Sequence, residues 1–211
     1  MITLSEYGES RIEIKKSVFI GRAVRIRSAQ EAEAFVNEAR NTYPDARHCC
    51  YAWTYDGQTQ MRKYSDDGEP SGTAGMPMLS IIDKNGFMNV AVTVTRYFGG
   101  ILLGKGGLVR AYTEATIAAL EAAGPVRTEV GEAYRADCPY AMSDKLTYLM
   151  ETNGWQIEDI QYGSDVGITY VCQKTDSAKM IAAVTDKTAG KISPVLIGER
   201  EIMIEKFSLK E

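Results

Sequence analysis

The sequence predicts an α+β protein made of two domains. Its 211 residues allow one large domain or two small ones, because domains cluster around ~100–150 residues. An alanine-rich helical pattern ends at Gly124-Pro125, and a glycine followed by a proline is typical of a helix end. Beyond it, the hydrophobic patterns follow the order β-α-β-β-α-β, which is typical of a ferredoxin-like domain. We therefore predict one domain at residues 1–124 and a second at residues 125–211.

Strands and helices alternate in the first half of the chain. The β-branched residues of segment 18–26 are evenly spaced, which predicts a strand. Ser28 followed by Glu31 is a capping-box pattern, so we expect a helix to begin directly after Ser28. Alternating valines over 90–94 predict a further strand. The predicted elements are strands at 11–16, 18–26, 47–55 and 89–98, helices at 29–43, 74–83 and 108–123, and a long loop that opens at Asp56.

The second half has simpler patterns. Methionine and leucine residues form a helical stripe that ends at Gly154. The residues from Val166 to Cys172 alternate between apolar and smaller or more polar side chains, as a half-buried strand does. Asp176 is the predicted N-cap of the last helix. The predicted elements are strands at 126–138, 155–162, 166–173 and 194–206, and helices at 143–152 and 177–189.

Charge limits the classes of partner. The chain carries 24 basic and 28 acidic side chains, a net charge of −4, which excludes a globally basic nucleic-acid binder. Residues 1–124 hold 14 of each sign, whereas residues 125–211 hold 10 basic and 14 acidic side chains. Within the balanced first half, residues 11–27 carry a positive excess, with six basic side chains against one acidic side chain. The sequence therefore predicts a local basic surface in the first domain.

The apolar segments and the cysteines predict the compartment. The longest unbroken apolar runs have five residues, whereas a membrane-spanning helix needs ~20. The N-terminal residues have neither a basic segment nor an apolar segment of the kind that directs secretion. The four cysteines include no C-x-x-C pair for zinc or redox chemistry. We expect a cytoplasmic protein with reduced thiols and no membrane partner.

A glycine-rich turn between a strand and a helix is a candidate anion site. Glycines allow backbone N–H groups to converge, and a helix N-terminus favours negative charge. The turn matches neither the G-x-x-x-x-G-K-[ST] motif nor G-x-G-x-x-G. Tight packing of strand against helix explains the same glycines equally well. The candidate residues for binding a phosphate or nucleic acid are Arg96, Gly99, Gly100, Gly104, Lys105, Gly106, Gly107 and Arg110.

An acidic loop precedes the short helix of the first half. Its carboxylates could hold magnesium together with substrate phosphates. A solvated turn in which Ser71 or Thr73 caps the helix is the favoured interpretation. The loop's candidate residues are Asp66, Asp67, Glu69, Ser71 and Thr73. We predict no metal site and no cofactor.

His48 is the only histidine, so any histidine-based catalysis must use it. A dyad of His48 with Cys50 would join two neighbours on one strand face, which seldom align for proton transfer. A structural or partner-facing histidine is therefore favoured. The aromatic residues 51, 53 and 55 could stack on nucleobases, although a role in the core is favoured. No catalytic constellation is predicted.

Two segments resemble the signatures of the IMPACT family. They are Tyr64–Gly75, YSDDGEPSGTAG, and Val94–Tyr112, VTRYFGGILLGKGGLVRAY. The match covers about residues 1–124, and the second half resembles the small domain that follows in bacterial, YigZ-like members. The resemblance implies a first domain similar to domain 2 of ribosomal protein S5 and a second similar to domain V of elongation factor G. Eukaryotic relatives regulate translation under amino-acid starvation, so the resemblance also implies a role in translation control.

Three hypotheses of function follow. The leading one is a cytoplasmic regulatory protein that binds RNA or the ribosome and catalyses no reaction of its own. The second is a regulator that docks on a protein partner in translation control through the surface of the two motifs. The third is a small-molecule enzyme that handles phosphate at the glycine-rich turn, with magnesium at the carboxylates of the acidic loop.

Overall fold

A computed structural model describes residues 1–209 of the chain as two compact units. The first contains residues 1–127 together with residues 205–209, and the second contains Thr128–Ile204. Each unit combines a β-sheet with helices, which confirms the predicted α+β class with two domains. The last helix of residues 1–127 ends at Ala122, and Gly124 follows it in the left-handed conformation (φ +67°), as the glycine stop pattern predicts.

The first unit is built on a five-stranded antiparallel sheet with strand order β2-β3-β6-β4-β5. These strands are β2 (Gly8–Ile14), β3 (Ser17–Arg25), β4 (His48–Asp56), β5 (Gln60–Ser65) and β6 (Val90–Tyr97). The central strand β6 is buried from Val90 to Arg96, because helices cover both faces of the sheet. A short strand, β1 (Ile2–Leu4), pairs with residues 125–127.

Three helices cover this sheet. On one face, α2 (Gly75–Lys84) and α3 (Gly104–Ala122) enclose the main core, which includes Phe19 and Tyr112. On the other face lies α1 (Ala29–Thr42). The Ser28 side chain accepts a hydrogen bond from the Glu31 N–H at 3.1 Å, so the predicted start of α1 is confirmed.

The aromatic stripe of β4 belongs to the core. Trp53 is buried against Phe35 and Val36 of α1, and Tyr51 and Tyr55 pack in the same cluster. Because these rings are covered by a helix, they form no platform for nucleobases. The structure therefore confirms the favoured interpretation of residues 51, 53 and 55.

Two strands were not predicted. The loop predicted from Asp56 contains β5, which is mostly exposed and pairs only with β4 at the edge of the sheet. An edge strand needs no alternating apolar pattern on a buried face, so its polar sequence gave no strand signal. The three residues of β1 are too few to show a period.

The long helix α3 begins four residues before its predicted start. Its first residues are Gly104, Lys105, Gly106 and Gly107, which were predicted to lie in the turn. Glycine has a low helix propensity, so the sequence pattern places the helix start too late. The first turn of α3 therefore carries Lys105, and Arg110 lies in the second turn.

The second unit confirms the predicted order β-α-β-β-α-β. Its strands are β7 (Pro125–Cys138), which begins in the first unit, β8 (Gln156–Tyr162), β9 (Val166–Cys172) and β10 (Val195–Lys206). The β9 strand pairs antiparallel with β7 and β8, and β10 pairs with β7. Two helices, α4 (Tyr140–Thr152) and α5 (Ser177–Lys187), bury Leu146 and Met180 against β9.

Asp176 occupies the predicted N-cap position of α5 but does not cap the helix with its side chain. Asp176 has helical backbone angles and its side chain makes no capping hydrogen bond. A 3-10 turn at Lys174–Asp176 leads directly into α5, so the chain enters this helix through a tighter helical turn instead of an extended N-cap residue. Among residues 1–209, no helix has both the length and the apolar character needed to cross a membrane.

Candidate functional site

A buried ion pair joins the acidic loop to the glycine-rich segment. Glu69 Oε1 accepts hydrogen bonds from Arg96 Nη1 at 2.7 Å and from the Tyr112 hydroxyl at 2.8 Å. The Arg96 side chain is 7% exposed and that of Glu69 is 3% exposed. Burial of the Tyr112 hydroxyl raises its pKa, so it remains a neutral donor. These three side chains connect the loop after β5, the strand β6 and the helix α3.

Arg96 is therefore not an exposed cation. Its guanidinium carbon lies 5.6 Å from the ring centre of Phe19 and 5.5 Å from that of Phe98. Its charge is compensated by Glu69 within the protein. The structure does not bring Arg96 together with Lys105 and Arg110 as one exposed cluster, because a side chain on the central strand of a covered sheet is buried.

Asp66 organises the acidic loop. Its carboxylate accepts hydrogen bonds at 2.9 Å from the backbone N–H groups of Gly72, Ala74 and Gly75. Burial alone would raise the pKa of Asp66, but these three hydrogen bonds outweigh it and lower the pKa. Asp66 thus satisfies the N–H groups at the start of α2 from as far as nine residues away.

The capping role predicted for Ser71 or Thr73 is wrong. The Thr73 hydroxyl donates to the carbonyl of Pro70 at 2.6 Å, and Ser71 is exposed. The N-cap residue of α2 is Ala74, which has no side-chain oxygen. A capping pattern in the sequence involves only residues next to the helix. It therefore does not reveal a carboxylate that reaches the helix through the fold of the loop.

Asp67 attaches the loop to β4. Its carboxylate accepts from the Cys49 N–H at 2.7 Å and pairs with Arg40 at 3.0 Å. His48 Nδ1 lies 2.8 Å from the Asp67 carbonyl oxygen, and the Cys50 thiol donates to the carbonyl of Asp66 at 3.0 Å. His48 and Cys50 thus bond to separate carbonyls and form no dyad. Burial also raises the pKa of Cys50, which opposes a thiolate.

The magnesium alternative has no support in this geometry. The carboxylates of Asp66, Asp67 and Glu69 are each engaged by N–H groups, by an arginine or by a hydroxyl of the protein. Within residues 1–209, no three His, Cys, Asp or Glu side chains are grouped so that they could hold a metal ion. The acidic loop therefore has a structural role.

The glycine-rich turn lies against the hairpin turn between β2 and β3. The Gly99 N–H donates to Ser17 Oγ at 3.1 Å. A Cβ atom on Gly99 would lie only 2.0 Å from the carbonyl carbon of Lys16, so this glycine is needed for close packing. Gly100 and Gly104 are left-handed (φ +83° and +70°), whereas Gly106 has neither constraint. The packing interpretation thus applies to Gly99 in particular.

Four exposed basic residues surround this contact, and we call them the basic patch. They are Lys15, Lys16, Lys105 and Arg110. Lys15 and Lys16 form the hairpin turn, and Lys15 lines a cleft of about 250 Å³ together with Arg110, Leu103 and Gly107. The first N–H groups of α3, which have no partners within the helix, begin at Gly104.

The basic segment 11–27 and the glycine-rich turn are separate features of the sequence. Their contact at Gly99 is a tertiary feature, and the antiparallel pairing of Val18 with Tyr97 is what places them side by side. Another basic residue of this segment, Arg22, is buried and pairs with Glu38 at 2.6 Å. Part of the positive charge of this segment is thus compensated within the fold.

The chain resembles known proteins along most of its length. Residues 15–120 match the model of the Impact N-terminal domain, and residues 137–191 match a domain of unknown function, DUF1949. The IMPACT family member YvyE of Bacillus subtilis is 35% identical over 190 residues, covering 90% of this chain and 87% of YvyE. The IMPACT family member YigZ of Escherichia coli is 35% identical over 189 residues, covering 89% of this chain and 93% of YigZ. A hypothetical protein with a solved crystal structure has 33% sequence identity to this chain and a TM-score of 0.57. The match covers 94% of this chain and 98% of that one.

Glu69→Gln is expected to lower the free energy of unfolding by ~3–5 kcal/mol, because it leaves the buried Arg96 without a charged partner. Urea denaturation measures this loss. The matched control is Glu33→Gln, which removes an exposed partner of Lys63 and should leave stability near that of the wild type. Equal stability of the two variants would contradict the central role of the buried pair.

Asp66→Asn is expected to cost ~1.5–3 kcal/mol at pH 7, because a charged acceptor of three N–H groups is replaced. The pKa of Asp66 is lowered in the folded state, so its carboxylate stabilises the fold above the unfolded-state pKa of ~3.9. This stabilisation is lost as the pH falls through the folded-state pKa. The difference in urea midpoint between variant and wild type should narrow below pH ~4, and a constant difference would count against this account.

Gly99→Ala is expected to cost at least ~1–3 kcal/mol, because its Cβ would overlap the backbone of Lys16. Gly106→Ala in the first turn of α3 has open space around its Cβ and should stabilise the protein by ~0.5–1 kcal/mol. Thermal or urea unfolding of the two variants compares them directly. If both glycines tolerated alanine, the hairpin and the glycine-rich turn would not be in close contact.

Proposed function

The chain belongs to the IMPACT family, and from this premise we propose that it is a cytoplasmic regulatory protein that binds RNA through the basic patch. The patch consists of Lys15, Lys16, Lys105 and Arg110. The observation that carries the proposal is the packing of Gly99 on the backbone of Lys16, which brings two lysines of the hairpin beside the N-terminus of α3. The role in translation control that the family resemblance implies agrees with an RNA target such as the ribosome.

The local chemistry suits phosphate groups. Exposed lysine and arginine side chains neutralise backbone phosphates, and free N–H groups at a helix N-terminus add hydrogen-bond donors. Glu114 is the acidic side chain that lines the neighbouring cleft with Lys15 and Arg110. The four basic residues of the patch thus outnumber this one acidic residue, although the chain as a whole has a net charge of −4.

The proposed mode of action is binding and requires no catalysis by the protein. A patch of separate cations contacts the sugar–phosphate backbone and carries little sequence information of its own. Such binding would allow the protein to occupy an RNA surface and exclude another factor from it. A protein partner reached through the same motifs is the alternative outcome, and it would survive removal of RNA by nuclease.

The test is the salt dependence of binding to single-stranded RNA and to purified ribosomes. For the wild type, the logarithm of affinity should fall linearly with the logarithm of salt concentration, with a slope of ~0.7 for each phosphate bound on a single strand. Lys105→Ala/Arg110→Ala should weaken binding and make the slope shallower by ~0.7 for each phosphate that the variant no longer neutralises. Fluorescence anisotropy and co-sedimentation provide the two measurements.

The control variant is Lys187→Ala/Lys191→Ala, which removes two exposed lysines of the second unit and should bind as the wild type does. Arg96→Ala is not suitable as a binding variant. It would leave Glu69 buried without its charged partner and so destabilise the fold. Binding that does not change with salt, or that is lost equally in both double variants, would refute the basic patch as the RNA site.

A further inference from the structure

A cleft of about 400 Å³ lies beside the buried Arg96 and is not used by the proposed phosphate contacts. Its volume is within the range of small-ligand sites. Two strands, β4 and β6, contribute to its wall, and the glycine-rich turn contributes its rim. The lining residues are Asp45, Arg47, His48, Arg96, Tyr97, Phe98 and Leu102.

A hydrogen-bond donor and an acceptor stand side by side in this cleft. His48 and Arg96 are directly paired across β4 and β6, so their side chains project from the same face of the sheet. The Arg96 side chain is only 7% exposed. Among residues 1–209 it donates only through Nη1, to Glu69, so the guanidinium keeps further N–H groups without partners, of which Nε has almost no accessible surface. A donor without a partner at a buried site is costly, so an acceptor that reaches the guanidinium from the cleft forms a favourable charge-assisted hydrogen bond.

His48 supplies the neighbouring acceptor. When Nδ1 donates to the Asp67 carbonyl, the neutral ring carries its lone pair on Nε2. The fixed contact at Nδ1 also sets the orientation of the ring. Among residues 1–209, no group bonds to His48 Nε2, so this atom is available to a ligand.

The rim of the cleft is apolar and aromatic. Phe98 is 53% exposed and Leu102 is 83% exposed, so both side chains present apolar surface at the rim. The Phe98 ring also lies 5.5 Å from the guanidinium of Arg96. Asp45 is engaged by the Tyr97 hydroxyl at 2.8 Å, whereas Arg47 is exposed at the rim. A flat aromatic ligand with hydrogen-bonding groups on its edge and a negatively charged substituent matches this combination.

We propose that this cleft binds a nucleobase that has a carbonyl next to a ring N–H, namely uracil or guanine. The carbonyl accepts from the Arg96 guanidinium, the ring N–H donates to His48 Nε2, the base stacks on Phe98, and Arg47 contacts the attached phosphate. The base belongs either to a single-stranded RNA held by the basic patch or to a free nucleotide. In the RNA form, the inference rests on the proposed function and adds base selectivity to it.

The experiment compares uracil with cytosine, because cytosine replaces the ring N–H by an acceptor. Short oligo(U) and oligo(C) RNAs of equal length are measured by anisotropy, and UMP and CMP by calorimetry. We expect the wild type to prefer the uracil form of each pair by about tenfold. His48→Leu should abolish this preference, and His48→Gln, which keeps an acceptor on a side chain of similar reach, should retain part of it.

Two further variants separate the cleft from the basic patch. Phe98→Ala changes an exposed side chain and should weaken binding of both RNAs by about tenfold through loss of stacking. Lys105→Ala/Arg110→Ala should weaken both RNAs and leave the ratio between oligo(U) and oligo(C) unchanged. A change of that ratio in the double variant would overturn the separate role of the cleft.

The outcomes distinguish the two proposals. Equal affinity for oligo(U) and oligo(C) would overturn the base-selective cleft while leaving RNA binding intact. Selective binding of UMP without binding of either RNA would support the cleft as a site for free nucleotides and would refute the proposed function. Absence of binding to UMP and to both RNAs would overturn both.

Discussion

The buried ion pair between Glu69 and Arg96 is the interaction on which the first unit depends. It joins a loop, the central strand β6 and, through the Tyr112 hydroxyl, the long helix α3. Removing two charges from water is costly, and a pair of this kind is tolerated only when its hydrogen bonds are well made. The loop can therefore hold its conformation only while strand and helix are in place, so the two motif segments act as one structural unit.

This pair also decides where positive charge is available. Because Glu69 compensates Arg96, the guanidinium contributes no net charge to the surface. The exposed cations of the basic patch belong instead to the hairpin turn, which contacts the glycine-rich turn at Gly99, and to the first two turns of α3. Arg96 also lines a cleft next to His48, the only histidine of the chain. The side chain that forms the buried ion pair thus also lines a cleft.

Two carboxylates of the acidic loop accept hydrogen bonds from backbone N–H groups. Asp66 satisfies three N–H groups, and Asp67 satisfies a fourth on β4. The loop between β5 and α2 has many polar backbone groups that must be paired when they are buried. The carboxylates of Asp66 and Asp67 accept hydrogen bonds from these N–H groups, so they stabilise the fold and are already engaged by protein donors.

Much of the fold follows from local sequence. The capping pair Ser28 and Glu31, the alternating valines of β6 and the stop at Gly124 each act over a few residues, so they predict their elements correctly. The order β-α-β-β-α-β of the second half follows from the same short periods. A resemblance of two motif segments to the IMPACT family, carried by their residues alone, also proved correct.

Only the tertiary structure decided which side chains are buried, which are exposed and which distant residues meet. The edge strand β5 depends on pairing with β4, the burial of Arg96 depends on helices that cover both faces of β6, and the cap from Asp66 depends on the path of a whole loop. The basic patch exists because the β2–β3 hairpin pairs with β6, which places Lys16 against Gly99. These features join residues far apart in the chain, and a local pattern of charge or hydrophobicity carries no information about which distant residues will meet.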